Sequence, residues 1–164
     1  MNVTNSGRTS SIDSSSLTRT LSLDMAVAAR TSLPVLITAP PEFALPVATE
    51  IAMANAVDDG EGIVVVDAAD AGQLRSTLRR ASLPGASGLR AVVIHDVDGL
   101  DRAQQSALLS LVAGLRRPGE NRCRLISTTS VSLFDRVLDA SFDTDLFYAL
   151  NKIHIKVDES GLAD

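Results

Sequence analysis

The chain has 164 residues, 45% of them apolar and 21% charged, with a net charge of −5. That allows one domain with a full hydrophobic core and argues against a nucleic-acid surface, which needs a basic excess. No apolar run approaches the roughly 20 residues of a membrane helix, the first residues lack a signal-peptide pattern, and the single Cys123 cannot form an internal disulfide, which fits a reducing cytoplasm.

Residues 1–16 are polar and rich in Ser and Thr, and read as a flexible tail. From Leu17 to Arg30 the composition turns helical, with Leu21, Met25, Ala28 and Ala29 at helical spacing. Pro34 leads into a short buried strand, VLIT. Pro46 suits the first turn of a helix, since its missing N–H is not needed there, and that helix is expected to run to about Val57. Asp58-Asp59-Gly60 breaks it. GIVVVDA (Gly62–Ala68) reads as a second buried strand.

Asp70 can cap a helix with Leu74 and Leu78 on its inner face and Arg75, Arg79 and Arg80 towards water. Ser82–Gly88 is a loop, and LRAVVIHDVD (Leu89–Asp98) supplies a third strand. Asp101 can cap a helix whose buried stripe is Leu108, Leu111, Val112 and Leu115, with a turn at Arg117-Pro118-Gly119. RCRLISTT (Arg122–Thr129) is a fourth strand, opened by a Cys123 that reads as a buried structural thiol. Ser132 and Asp135 form a capping-box pattern, and Asp145 is expected to cap the helix DLFYALN. KIHIKV (Lys152–Val157) alternates as a half-exposed edge strand does.

Five strands separated by helices imply a parallel sheet covered on both faces. Ligands of such sheets bind beyond the carboxyl ends of the strands, here residues 38–45, 95–98 and 128–132. No repeat and no second domain is visible.

SFDTDLFYALNKIHIKV (Ser141–Val157) resembles a segment of the sigma-54 interaction domain, the AAA+ ATPase core of bacterial enhancer-binding proteins. Phe142, Asp145, Leu146, Tyr148, Leu150 and Asn151 match without a gap. Val92–Val112 is similar to the family's Walker B segment, with Leu100, Gln105, Leu108 and Leu109 in register. Arg124–Leu133 resembles its sensor strand. LPVLIT and VATEIA flank the position of its nucleotide loop. The resemblance covers about residues 20–157 and implies a three-layer, P-loop NTPase-like α/β core with a five-stranded parallel sheet, from Leu17 to Asp158, with a short tail at 159–164.

The resemblance also implies where a nucleotide site would lie, and the residues there depart from the family pattern. A phosphate loop needs glycines that turn N–H groups inward and a lysine for the phosphates. This chain has Ala39, Pro40, Pro41, Glu42, Phe43 and Ala44, with Ala44 or Leu45 in the lysine's place and no lysine before Lys152. His95 and Asp96 stand where the family has Asp-Glu, and His95 is a poor magnesium partner. Ser130 replaces the sensor asparagine. Asp143 and Ala149 replace two arginines that in the family are candidates for reaching a neighbour's nucleotide. The segment between Asp67 and Val92 is too short for the family's insertion with its GAFTGA loop, which argues against contact with sigma-54. With little sequence after Val157, the family's helical lid is expected to be missing.

Blander readings cover the other polar features. His95 has no second histidine within ligand spacing and reads as a hydrogen-bonded structural residue, so no metal is expected. Asp96, Asp98 and Asp101 read as a turn and a helix cap, and the arginines of the 70–81 helix as a solvated face. Phe142, Phe147 and Tyr148 fit either packing or a partly exposed interface. The sequence-level expectation is therefore a non-catalytic module that binds no cofactor and meets a protein partner, itself or intact AAA+ subunits, with Asp143 projecting into a neighbour's site. It contacts neither nucleic acid nor membrane. The alternative is a transcription regulator with residual, weak ATP/magnesium binding through Asp96 and N–H groups of 39–45. On the first reading the 39–45 segment is a stiff strand-to-helix connection, with Phe43 or the prolines filling phosphate space.

Overall fold

The computed structural model describes residues 11–54, 62–83, 88–115 and 123–158, and side chains from Leu21 onward. The Asp58-Asp59-Gly60 break, the Arg117-Pro118-Gly119 turn, the middle of the 82–88 loop, residues 1–10 and the 159–164 tail lie outside the described residues.

Five strands alternate with helices: α1 (Ser11–Arg30), β1 (Val35–Thr38), α2 (Pro41–Met53), β2 (Ile63–Asp67), α3 (Ala71–Ala81), β3 (Ala91–His95), α4 (Arg102–Gly114), β4 (Arg124–Thr129), α5 (Leu133–Leu138), α6 (Thr144–Leu150) and β5 (Ile153–Lys156). All neighbouring strands are parallel, in the order β2-β3-β4-β1-β5. Because side chains alternate along a strand, β1 to β4 feed both layers. Leu36, Val66, Val92, Ile94 and Leu125 pack with α3, α4 and α6, whereas Val35, Ile37, Val93, Ile126 and Ile155 pack with α1 and α2. The three-layer α/β architecture expected from the alternating pattern is present. β5 is an edge strand as the alternation implied, with Ile155 buried and Lys152, His154 and Lys156 exposed.

Three boundaries differ from the sequence expectation. The helix α1 begins at Ser11, six residues before the change of composition at Leu17. The helix α2 begins at Pro41, not Pro46. Both prolines suit a first turn, and the earlier one wins because it extends one buried stripe, Ala44, Ala48, Ile51 and Ala52, at positions i, i+4, i+7 and i+8. Pro46 then lies inside the helix, where it cannot donate to the Glu42 carbonyl. Finally, Asp143, not Asp145, caps α6: its backbone is extended (φ −68, ψ 132) and its carboxylate accepts the Leu146 N–H at 2.8 Å. Asp145 is already within the first turn.

The caps at Asp70 and Asp101 form as read, and the Ser132–Asp135 box forms in one direction only. Asp70 accepts from the Gln73 N–H, Asp101 and Gln104 make a reciprocal capping box, and Ser132 accepts from the Asp135 N–H. Gly62 opens β2 at φ +85, and a Cβ there would run into the Gly88 carbonyl, so only glycine fits.

Gln105 ties the two most specific sequence segments together. It is 3% exposed. Its amide NH₂ donates to the carbonyls of Leu100 (2.9 Å) and Ser141 (3.1 Å), and its Oε1 accepts the Asp143 N–H at 2.8 Å. Replacing it by leucine strands three backbone groups at once. Gln105→Leu is expected to lower unfolding stability by about 1–3 kcal/mol in urea titrations; a loss no larger than that of the exposed Ser110→Ala would show that this bracket does not hold α6 in place.

Candidate functional site

The carboxyl ends of β1, β3 and β4 come together at Thr38, His95 and Thr129, and β4 lies between the other two. β4 is buried along its whole length, and Ser127, Thr128 and Thr129 are fully enclosed. Burial favours internal partners for their hydroxyls; Thr128 and Thr129 have them, and the Ser127 hydroxyl has none among the described residues. Thr128 Oγ1 lies 2.8 Å from His95 Nδ1 and accepts the Asp96 N–H at 3.3 Å. His95 Nε2 lies 3.4 Å from Asp96 Oδ2. One arrangement satisfies all three: the Thr128 hydroxyl donates to Nδ1, and the Nε2–H faces the carboxylate.

Asp96 turns the chain at φ 54, in the left-handed region, where Asp is among the better tolerated residues. A 3-10 turn, Val97–Gly99, follows. Its Asp98 carboxylate receives the Thr129 hydroxyl at 2.7 Å, and the same hydroxyl accepts the Val131 N–H at 3.2 Å. Of the three acids in this stretch, Asp98 is thus bound to Thr129 and Asp101 to the start of α4. Asp96 keeps a half-exposed side chain beside His95. Among the described residues, no group of three His, Cys, Asp or Glu is placed to hold a metal ion.

The segment after β1 can be read donor by donor. The Ala39 N–H goes to the Thr129 carbonyl at 3.0 Å. Pro40 and Pro41 have no N–H. The N–H groups of Phe43 and Ala44 both turn back to the Pro40 carbonyl, at 3.0 and 3.1 Å. Glu42 alone keeps a backbone donor without a backbone acceptor, beside its own carboxylate. Residues 41–45 are therefore the opening of α2 rather than the connection expected, and only Ala39 and Pro40 link strand to helix. Phe43 is half-buried against the α1–α2 side of the core, as is Leu45.

The remaining positions have local roles. Ser130 is exposed at the end of β4. Asp143 is held by Gln105 and Leu146, and not by His95 or Asp96. Its carboxylate caps α6 while the residue stays exposed at the start of that helix. Ala149 sits in the core on the α4 side, 9% exposed.

A family model described as the sigma-54 interaction domain matches residues 12–159. The chain belongs to this family. The match takes in all five strands and every residue of the strand-end cluster. Among solved structures, the chain resembles NtrX from Brucella abortus in complex with ATP (20% identity, TM-score 0.66, 93% of this chain and 39% of that one). It also resembles the P-loop NTPase domain of a sigma-54 activator from E. coli (18% identity, TM-score 0.66, 87% and 94%). A RuvB variant from Thermotoga maritima shares the fold more distantly (18% identity, TM-score 0.59, 88% and 46%). No curated protein matches. The chain spans well under half the length of NtrX and nearly all of the E. coli domain.

Four residues of this sigma-54 interaction domain had no individual role in the sequence reading. Thr128, Thr129 and Thr38 fell within the strand-end ranges 128–132 and 38–45, with no partner assigned to their hydroxyls. The signal was a run of hydroxyl residues at the end of an otherwise apolar central strand. The fourth, Arg124, opens β4 at the opposite end of the sheet and is 7% exposed. Its Nη1 donates to the carbonyls of Ala29 (3.3 Å) and Ile51 (3.4 Å), in the last turns of α1 and α2. Burial lowers its pKa, and Nε and Nη2 have no partner among the described residues.

Two measurements probe the strand-end cluster. Thr128→Val leaves His95 Nδ1 and the Asp96 N–H without their shared partner, so unfolding stability is expected to fall by about 1–3 kcal/mol; an unchanged denaturation midpoint would remove Thr128 from this role. His154, whose Nε2 lies 2.9 Å from Thr38 Oγ1, has its pKa lowered from 6.5 by desolvation and then by Lys156. The folded state therefore favours the neutral ring. Any stability linked to it is present above the unfolded pKa and is lost as pH falls through that value towards the folded one. An NMR titration, assigned with His154→Gln, is expected to give a midpoint below 6.5, and a midpoint above it would contradict the packing of this edge.

Proposed function

We propose that this sigma-54 interaction domain is a protein-interaction or regulatory module acting on transcription, without ATP hydrolysis and without productive ATP binding. The observation that supports this most directly is the fate of the backbone donors after β1. A phosphate site needs several N–H groups converging on one anion, with a cation beside them. Here two of the residues are prolines, and three donors are given to the Thr129 and Pro40 carbonyls. The last belongs to acidic Glu42, and no lysine precedes Lys152. His95 and Asp96, where the family has its acidic pair, are bonded to each other and to Thr128.

On this reading the scaffold serves assembly: the domain pairs with itself or with intact AAA+ subunits and alters their activity. Asp143, exposed at the start of α6 and also its cap, would face a neighbour's site where the family has an arginine. The absence of a GAFTGA segment from this sequence speaks against direct contact with sigma-54.

Calorimetry with ATP, ADP and magnesium is the direct test. No binding tighter than about 0.1 mM, near −5.5 kcal/mol, is expected, and phosphate release should equal the protein-free rate. Tighter binding would overturn the reading in favour of a nucleotide-binding regulator that uses Asp96. When the domain is mixed with an active homologue from the same cell, a changed hexamer population or ATPase rate is expected; no change in either would rule out the assembly role.

A further inference from the structure

α3 and α4 lie side by side on one face of the sheet, and the furrow between them is open. Leu74 and Leu78 form its floor, and Ala103 and Ala107, one turn apart on the exposed flank of α4, form its far wall. The alanines are too short to close the gap, which leaves a cavity of about 320 Å³. That is at the lower end of the range for a bound molecule and suits one or two apolar side chains.

The near wall is charged. Arg75 and Arg79 stand one turn apart on α3, both exposed and both lining the cavity. Like charges at this spacing repel, and neither has an ion-pair or hydrogen-bond partner among the described residues. Asp101, on the opposite rim, accepts the Gln104 N–H as the cap of α4. An acidic chain of net charge −5 thus presents an apolar slot flanked by two uncompensated guanidiniums.

We propose that the α3–α4 groove docks an acidic amphipathic helix of a partner protein. An apolar pair at i and i+4 would enter the slot, and carboxylates one turn away would meet Arg75 and Arg79. Guanidinium–carboxylate pairs can form two parallel hydrogen bonds, which fixes register as well as charge, and helix-in-groove recognition uses this spacing of anchors. Two arginines on an acidic molecule do not suit an extended polyanion, so a short acidic segment is favoured over nucleic acid. The surface shares no residue with the strand-end cluster. It deepens the interaction reading by giving it a surface and a partner chemistry.

The test is selection from a phage-displayed library of amphipathic helical peptides against the whole chain, followed by fluorescence anisotropy of the enriched peptides. Enriched sequences are expected to combine an i, i+4 apolar pair with Asp or Glu. Their affinity should fall at least about tenfold on replacing those acids by Gln/Asn, in the double variant R75E/R79E, and in Ala107→Leu, which fills the slot without changing charge. Circular dichroism of both variants checks that the exposed substitutions leave the fold intact. No enrichment, equal binding to R75E/R79E, insensitivity to Ala107→Leu, or equally tight binding of heparin would each overturn the proposal. Calorimetry with ATP is independent of all four outcomes, so failure of the groove and failure of the nucleotide reading can be told apart.

Discussion

The structure depends on one constraint: β4 is buried along its whole length, yet it carries an arginine, a serine and two threonines. Water cannot reach these groups, and the elements around the strand meet both threonines and one nitrogen of the arginine. Thr128 and Thr129 draw in His95, the Asp96 backbone, Asp98 and Val131, and so fix how β3 turns into α4. The Thr129 carbonyl takes the Ala39 N–H and fixes how β1 leaves the sheet. At the other end, Arg124 places a guanidinium against carbonyls in the last turns of α1 and α2, where the helix dipoles favour positive charge. The central strand therefore organises both ends of the sheet through polar contacts, while apolar packing organises its two faces.

Much of the fold was legible in the sequence because its signals are local. The strands are short β-branched runs, and Asp70, Asp101 and Ser132 each stand one residue before an amphipathic stretch. Two of the three helix starts that were misplaced are those where two residues of the same type compete. Pro41 and Pro46 both suit a first turn, and the burial of Ala44 at 1% exposure shows why the earlier start is used. Asp143 and Asp145 are both good caps, and Gln105, 38 positions away in the chain, holds the Asp143 backbone in place. No local rule contains that contact.

The candidate site was legible by position and not by contact. Parallel topology placed it at the ends of β1, β3 and β4, where the ranges 38–45, 95–98 and 128–132 take in Thr38, His95, Asp96, Thr128 and Thr129. What a threonine does at the end of a strand cannot be read from the chain, because the hydroxyl can serve a ligand, a neighbour or its own backbone. Thr128 serves His95 and Asp96, and Thr129 serves Asp98 and Val131. The bland reading of Asp98 and Asp101 holds for the same reason, since each carboxylate has a partner on an adjacent element or at its own helix start.

This satisfaction bears on how the family's fold accommodates such a segment after β1. A loop whose donors point inward at an anion is stable only with that anion or with water in its place. Starting α2 at Pro41 removes the need: the prolines bring no donors, and Phe43 and Ala44 donate to Pro40. The interior proline breaks one helical bond, at a cost of about 3 kcal/mol in an isolated helix. Burying Ala44, Ala48, Ile51 and Ala52 against β1, β3 and β4 offsets it. The segment is thus held by its own helix and by the core, with no ligand required to complete it. That independence lets the scaffold persist while the residues at the strand ends change, and on the proposed reading it leaves recognition to the outer helices, where uncompensated charge and open apolar surface remain.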